Sequence, residues 1–244
     1  MHRLPVPYDV LSLDSPILPP DSARHLKVVR PKSGETVELF DGRGHIRRFA
    51  WNGARLAAIG DVISFPAPAR SISLFACVTK GSRWDWTIEK AVELGVSRIV
   101  PVISARAIVR LSPTERPAKA ERWRRIAEDA ARQSDAVWLP EVLEAVDFPK
   151  ALQIARESGR IFAGALTTPP PPPLWSALQM GDWSDIADCG IFVGPEGDFT
   201  KEELDALLLF AEPVSFGPTI LRAETAAIFG VSVLAAASQA MSRQ

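Results

Sequence analysis

The spacing of apolar positions in the early part of the chain is that of short β-strands. Alternating runs at 36–40 and 45–51 flank a glycine-containing loop, which predicts a β-hairpin. Further runs at 55–59 and 61–65 extend the hairpin into a small sheet or barrel. Pro66-Ala67-Pro68 then disfavours continuation of a helix or strand. The pattern therefore predicts a junction near residue 70, between domains at 1–70 and 71–244.

After this junction, apolar strand-like runs alternate with segments of helical periodicity. Strands are predicted at 73–78, 98–103, 161–166 and 190–193, with a further short strand at 214–216. Helices are predicted at 83–94, at 119–134, from Thr200 onward and at 223–241. Gly95 has the position of a left-handed residue that ends a helix, and Thr200 with Glu203 has the spacing of a capping box. This alternation predicts an α/β fold with a parallel sheet covered on both faces.

The last predicted helix is apolar almost all round between Ala226 and Ala237. Such a helix must be covered on most sides, so we expect it to lie in a core or to form a subunit interface.

Composition is that of an ordinary soluble globular protein, with 47% hydrophobic and 23% charged residues. No apolar run approaches the roughly 20 residues of a membrane span, and the N-terminus lacks the features of a secretion signal. Cys77 and Cys189 lie in apolar runs and the three histidines are scattered, so neither a disulfide framework nor a metal site is predicted. We expect a cytoplasmic protein that binds neither membrane nor metal.

Charge is unevenly distributed along the chain. Residues 98–132 contain nine Lys or Arg against four acids, a net of +5, whereas residues 179–212 contain one Lys against nine acids, a net of −8. A polyanion such as RNA would be attracted to the first segment and repelled by the second. Solvated helix faces would give the same asymmetry, so charge alone does not decide between the two interpretations.

Two loops contain the residues that suggest chemistry. Gly194-Pro195-Glu196-Gly197 follows a buried strand, and turns at the carboxyl ends of parallel strands line ligand crevices. The second loop begins after 214–217 and places Arg222 and Glu224 directly before the last helix. Glu224 suits a helix N-terminus electrostatically, but a cation there is unfavourable unless an anion offsets it. A purely structural role therefore explains Arg222 less well than it explains Glu224.

Five consecutive prolines at 169–173 follow the strand at 161–166. A polyproline ligand for an aromatic groove is one interpretation. The simpler hypothesis is a rigid wall of the ligand cleft, because the run follows the end of a strand.

The two loops, in this order, resemble those of the bacterial 16S rRNA methyltransferases that modify a uridine at N3, within the SPOUT superfamily. The resemblance covers most of the chain, and several motifs in the same order are more specific than any one alone. The further matching positions are 24–30, Asp41-Gly42, Lys80, 90–96, Pro101, Arg106, Gln133-Ser134 and Pro140.

The resemblance implies a small PUA-like β-barrel that helps hold RNA, followed by a SPOUT-type parallel sheet with a C-terminal trefoil knot. It also implies a homodimer with S-adenosyl-L-methionine bound in the knot. Cofactor contacts would come from three loops, at Leu166, Thr167, Val193, Gly194, Pro195, Glu196, Gly197, Phe216, Gly217, Ile220, Leu221 and Thr225.

Catalysis at uridine N3 requires removal of a proton or stabilisation of the resulting anion. We expect Arg222 to stabilise the charge and Glu196 or Glu224 to accept the proton; for Glu196, capping of nearby backbone amides is an equally good explanation. The expected partner is 16S rRNA, within the small ribosomal subunit. Its expected contacts are cations at Arg24, Lys27, Arg30, Arg43, Arg106, Arg122 and Arg125, with Arg47, Arg48 and Arg110 nearby.

The chain also departs from the family it resembles. Asp198 stands where a second glycine is usual, Asp135-Ala136 replaces Gly-Arg, and residues 2–5 lack paired aromatics. Asp tolerates a left-handed backbone better than most residues, so the turn at Asp198 is expected to survive. The alternatives are a SPOUT enzyme that methylates another base or a ribose of rRNA or tRNA, and an RNA-binding relative without catalysis.

Overall fold

A computed structural model describes residues 2–180 and 188–241, excluding the side chain of Met241. The chain divides into two compact units. The first contains the residues up to Ala67 together with Glu128–Leu139, and the second contains Pro68–Ala127 and the chain from Pro140 onward. Sequence analysis assigned everything after residue 70 to one domain, whereas residues 128–139 belong to the first unit.

The first unit contains a four-stranded sheet in the order β1-β2-β3-β4. Its elements are β1 (His2–Pro5), α1 (Tyr8–Leu11), α2 (Pro20–Val29), β2 (Thr36–Phe40), β3 (His45–Trp51) and β4 (Leu56–Ser64). β1 pairs parallel with β2, while the β2–β3 and β3–β4 pairs are antiparallel. The predicted hairpin is therefore confirmed as β2 and β3.

The prediction of two strands at 55–59 and 61–65 was wrong, because β4 is one strand. Its pairing with β3 shifts register between Ile46 and Arg48, and Gly60 has a φ of 75° at this point. A glycine adopts this backbone at little cost, so the strand bulges instead of ending.

Hydrogen bonds explain why residues 128–139 join the first unit. The buried Arg3 donates from Nη1 to the Ala131 carbonyl at 3.0 Å and from Nε to Glu38 at 2.8 Å. The Gly44 amide donates to the Val137 carbonyl at 2.9 Å. Because these partners are far apart in sequence, no local pattern predicted them.

The second unit contains a parallel sheet in the order β11-β9-β10-β5-β6-β7, with β8 also paired to β6. Its strands are β5 (Ser71–Cys77), β6 (Arg98–Ile103), β7 (Glu141–Val142), β8 (Val146–Asp147), β9 (Arg160–Gly164), β10 (Asp188–Val193) and β11 (Glu212–Val214). Its helices are α3 (Ser82–Glu93), α5 (Phe148–Arg156), α6 (Leu174–Gln179), α7 (Lys201–Leu207) and α8 (Ala223–Met241). The helix α4 (Arg116–Gln133) has its first residues in this unit and its last residues in the first. The predicted α/β fold with a parallel sheet is confirmed.

Two predicted helix ends in this unit are confirmed. Thr200 and Glu203 form the predicted capping box at the start of α7. Gly95 follows α3 with a φ of 81°, as expected for a left-handed helix end. The sheet core contains the stacked rings of Phe75 and Phe192, whose centroids are 4.5 Å apart.

The helix α8 packs against β5, β10, α3 and α6. Ala223–Ala240 has a mean hydropathy of 1.2, so by length and composition it could cross a membrane, which the sequence analysis had not recognised. Its buried side includes Ala227, Val231 and Leu234. Burial of this side explains the apolar residues on it, and 44% of Ala223–Ala240 is buried within the chain.

Candidate functional site

Three neighbouring strands end at one edge of the parallel sheet and form a cleft there. They are β9, β10 and β11, which lie side by side and run in the same direction. The cleft has a volume of about 320 Å³. It is lined by Gly164, Ala165, Leu166, Val193, Gly194, Pro195, Glu196, Asp198, Val214, Ser215, Phe216, Gly217, Thr219, Ile220, Leu221, Arg222, Ala223 and Ala226. In open α/β sheets, this edge is where ligands bind.

All three predicted cofactor loops contribute to this cleft. Thr167, Gly197 and Thr225 were predicted with them but are not among its lining residues. The lining residues that were not predicted as cofactor contacts, apart from the predicted catalytic Arg222, are Gly164, Ala165, Asp198, Val214, Ser215, Ala223 and Ala226. The signal for Gly164 and Ala165 was available, since both directly precede Leu166 at the end of β9.

The glycine turn after β10 is held in a defined conformation. Asp198 has a φ of 58°, and its Oδ1 accepts a hydrogen bond from the Phe199 amide at 2.8 Å. The Asp198 amide in turn donates to the Pro195 carbonyl at 2.9 Å. The expectation that aspartate can occupy this left-handed position is confirmed. The side chain stabilises the turn locally and also lines the cleft.

Phe216 reaches the cleft because residue 164 has no side chain. A Cβ built at Gly164 would lie 2.4 Å from the Phe216 ring, far closer than real atoms approach. The Phe216 ring also packs against Phe229 of α8 in a T-shaped arrangement, with centroids 5.8 Å apart. The apolar wall of the cleft therefore depends on a glycine in β9.

The three predicted catalytic residues differ in their surroundings. Arg222 is exposed and lines the cleft, and its guanidinium has no ion pair or hydrogen bond among the described residues. Glu196 lines the cleft with its side chain 29% exposed. Glu224 is not a lining residue, and its side chain is only 12% exposed.

A fourth charged residue, Arg83 in the first turn of α3, lies between the two carboxylates. Its Nη1 is 3.6 Å from Glu196 Oε1, and its Nε is 3.9 Å from Glu224 Oε1. Glu224 Oε2 is buried and accepts no hydrogen bond from the described residues. Sequence reasoning missed Arg83, since it is distant in sequence and resembles an ordinary exposed residue of an amphipathic helix.

The proline run has a different position from the one expected. None of residues 169–173 lines the cleft. Instead, the Pro172 carbonyl accepts a hydrogen bond from the Ser215 amide at 2.9 Å, and Pro173 forms a bridge with Ser215. The run therefore pairs with the chain that leaves β11, and the hypothesis of a cleft wall was wrong.

The predicted RNA-binding cations fall into two groups. Lys27, Arg30 and Arg43 have no ion pair among the described residues. The others are engaged: Arg24 with Asp21, Arg122 with Asp85, Arg125 with Glu121, and Arg106 with the carbonyls of Gly197 and Phe199. The hydrogen bond to Asp85 raises the pKa of Arg122.

Arg47, expected near the RNA surface, is instead a buried structural residue. It is 7% exposed and donates hydrogen bonds to the carbonyls of Gly60 and Ser12 and to Asp14. Arg48 is partly exposed and pairs with Glu38, while Arg110 donates to the Ser104 and Ala105 carbonyls.

Other reactive groups do not form a second centre in the described residues. Cys77 and Cys189 are free and buried, and burial raises the pKa of each thiol to about 12. Neither thiol therefore ionises near neutral pH. Across residues 2–180 and 188–241, no group of three or more His, Cys, Asp or Glu side chains is arranged to hold a metal ion.

Comparison with known proteins now places this arrangement in a family. A model described as an RNA methyltransferase domain matches residues 66–235, and the chain belongs to this family. The fold agrees with that of ribosomal RNA small subunit methyltransferase E from Neisseria gonorrhoeae, solved with bound S-adenosylmethionine. That structure is 27% identical, aligns 99% of this chain with 98% of its own, and gives a TM-score of 0.80.

Two relatives by sequence bear the same name, ribosomal RNA small subunit methyltransferase E. The protein from Synechocystis sp. is 29% identical over 207 residues, which cover 82% of this chain and 65% of the relative. The protein from Bacillus subtilis is 31% identical over 169 residues, covering 64% of this chain and 61% of the relative. The matched chain thus spans less than two thirds of either relative.

Proposed function

We propose that this protein transfers a methyl group from S-adenosylmethionine to N3 of a uridine in 16S rRNA. The observation that carries the proposal is the cleft at the ends of β9, β10 and β11, with the unpaired guanidinium of Arg222 on its lining. The names of the relatives support the substrate, and the bound cofactor of the neisserial structure supports the methyl donor.

The cleft has the properties that this cofactor requires. Its volume of about 320 Å³ lies within the range of roughly 300–1,000 Å³ that is typical of small-molecule sites. Leu166, Phe216 and Ile220 supply apolar surface, while Glu196 and Asp198 supply negative charge. This combination suits a ligand with a flat aromatic base, whose faces pack against apolar side chains, and a sulfonium cation. When bound, the cofactor supplies an electrophilic methyl group.

The chain's own residues must hold the uracil and deal with the N3 proton. Arg222 stabilises the negative charge that develops on the uracil oxygens, since a guanidinium presents several donors to such oxygens. Glu196 is the better proton acceptor of the two candidate carboxylates, because it lines the cleft and Glu224 does not. Arg83 acts as a positioning residue, holding Glu196 from the side of α3.

The proposal includes the architecture that the family resemblance implies. We infer a trefoil knot around the cleft and a PUA-like barrel in the first unit. We also infer a cytoplasmic location, where the small ribosomal subunit is available. We also infer a homodimer through α8, supported by a stripe of apolar side chains that the chain leaves partly uncovered. These side chains are Ile228, Phe229, Val233 and Ala236.

The test uses the purified full chain, S-adenosylmethionine, and small subunits from cells that lack this modification. Nucleoside mass spectrometry should show N3-methyluridine in the 16S rRNA. Arg222→Ala should lower kcat about 100-fold, as removal of one donor to a developing oxyanion commonly does. Calorimetry should show unchanged cofactor affinity for this variant.

Lys201→Ala is the matched control, since Lys201 is an exposed cation of the same unit that pairs, among the described residues, only with Asp205. It should leave kcat unchanged. A different methylated nucleoside would show that the substrate position is wrong. Cofactor binding without methylation of any RNA would indicate a relative without catalysis.

A further inference from the structure

The first unit contains a second and larger cleft, between α2, the end of β3 and the start of β4. Its volume is about 820 Å³. It is lined by Ser15, Pro16, Ile17, Leu18, Ala23, Leu26, Lys27, Arg30, Pro31, Trp51, Gly53, Ala54, Arg55 and Leu56. Nothing in the proposed chemistry uses this cleft.

The charges on this cleft all have one sign. Lys27, Arg30 and Arg55 line it, and no aspartate or glutamate of the described residues does. None of the three forms an ion pair among residues 2–180 and 188–241. By contrast, Arg24 on the same helix pairs with Asp21 at 3.2 Å and does not line the cleft. Uncompensated cations around a concave surface favour an anionic ligand.

Trp51 gives the cleft an aromatic surface. The residue is half-buried, and its body packs against the core of the first unit. Its amide donates to the Glu35 carbonyl at 2.9 Å, and its carbonyl accepts from the Gly34 amide at 2.7 Å. These two bonds fix the backbone from which the indole projects, so the aromatic surface is positioned before any ligand binds.

We propose that this cleft binds a short unpaired segment of the RNA substrate. A base packs against the Trp51 indole, and the flanking phosphates contact Lys27, Arg30 and Arg55. An aromatic surface beside a row of cations is the usual arrangement for single-stranded nucleic acid, because every base has a face that can stack. A paired base is stacked within its own helix and cannot enter a concave site of this kind.

The inference rests on the proposed function for its ligand, but RNA binding can be measured separately from methylation. Fluorescence anisotropy with labelled single-stranded fragments of 16S rRNA reports the Kd without cofactor. Lys27→Gln/Arg55→Gln should raise the Kd at least tenfold near 0.1 M salt. It should also reduce the slope of log affinity against log salt by about 1.4, the value expected for two phosphate contacts in a single strand.

Lys150→Gln is the matched control, because it removes an exposed cation of α5 that does not line the cleft. Its Kd should stay close to that of the unchanged protein. Trp51→Leu should raise the Kd roughly tenfold, whereas Trp51→Phe, which retains a stacking surface, should largely preserve it. Since Trp51 also packs against the core, thermal melting of both variants accompanies the binding data.

Three outcomes would overturn the inference: an unchanged Kd in the Lys27→Gln/Arg55→Gln variant, equal losses in that variant and in Lys150→Gln, or equally tight binding of duplex RNA. Failure of the proposed function has a different signature. In that case the unchanged protein methylates no uridine, while the cleft variants still lose affinity for single-stranded RNA relative to Lys150→Gln.

Discussion

At the scale of single residues, Arg83 shows how an ordinary position can affect a site. It lies on α3, and its guanidinium is within 4 Å of both Glu196 and Glu224. Exposed ion pairs stabilise a fold little, and Arg83 is 49% exposed. We therefore expect Arg83 to affect the orientation of the two carboxylates and to have little effect on stability.

Arg83→Ala should lower kcat for methylation about tenfold, because Glu196 loses the cation that orients its carboxylate at the cleft. Arg83→Lys should restore only part of kcat, since lysine keeps the charge and loses the planar fork.

The comparison for Arg83 is Arg98→Ala, which removes a cation from β6 that pairs with Glu141. Arg98→Ala should leave kcat unchanged. If Arg83→Ala behaved in the same way, or if Arg83→Lys rescued nothing, Arg83 would have no positioning role.

At the scale of secondary-structure elements, two aspartates occupy backbone conformations that usually require glycine. Asp198 and Asp135 have φ values of 58° and 56°, and both stand where the family that the sequence resembles usually has glycine. Glycine is usual at these positions because the backbone is left-handed there. Aspartate can replace it because aspartate is among the few other residues that tolerate this conformation. The departures therefore preserve the turns.

A series at Asp198 separates its conformation from its charge. Asp198→Gly should keep the free energy of unfolding close to that of the unchanged protein, whereas Asp198→Ala should lower it by about 1 kcal/mol, since alanine is disfavoured in this conformation. Asp198→Asn keeps both the conformation and an oxygen that accepts from Phe199. Chemical denaturation gives the stabilities, and calorimetry gives the cofactor affinities.

If Asp198→Asn bound the cofactor as tightly as the unchanged protein, the charge at residue 198 would have no part in binding. Equal stabilities of the alanine and glycine variants would contradict the conformational explanation.

Elements with a strong local pattern were predictable, and the missed ones have specific reasons. The strand β6 was predicted at its observed limits, because its apolar run is bounded by polar residues. The helix α2 was missed because only Ser22 and Leu26 are buried, so it has no apolar stripe. The helix α5 could have been found, since Phe148, Ala151, Leu152 and Ala155 recur at helical spacing. The site itself was only partly predictable. Crossovers in the sheet bring β9, β10 and β11 side by side, and a local sequence pattern does not show which strands become neighbours.

At the scale of the whole molecule, net charge along the sequence was a poor guide to free surface charge. In the basic segment at 98–132, most arginines are engaged within the protein. Their partners are Glu141 for Arg98, Asp147 for Arg116, Asp85 for Arg122, Glu121 for Arg125, Asp129 for Arg132, and backbone carbonyls for Arg106, Arg110 and Arg124. Part of the acidic segment, residues 181–187, lies outside the described residues.

The first unit has its cations at a lower density along the sequence, but among the described residues it leaves Lys27, Arg30 and Arg55 without ion pairs around one cleft. A phosphate can displace water from these side chains without first breaking an internal contact. The proposed RNA surface is therefore centred on this cleft, a change from the expectation drawn from the sequence.

Association of two chains is the remaining property of the whole molecule. Phe229 and Ala236 lie seven residues apart on α8, on the same face of the helix, and both are exposed in the single chain. Phe229 also contacts Phe216 of the cleft, so its replacement would alter the site as well. Ala236 is the cleaner position, because it is small and does not line the cleft.

Ala236→Arg should convert the proposed dimer to a monomer, since two guanidinium groups would face each other across an apolar contact without a partner. Light scattering coupled to size exclusion measures this directly, as a fall in mass to that of one chain. Ala118→Arg places the same side chain on an exposed position of α4 and should leave the mass unchanged. Circular dichroism should show equal helix content in both variants. If the unchanged protein had the mass of one chain, or if Ala236→Arg kept the mass of two, α8 would not form the proposed interface.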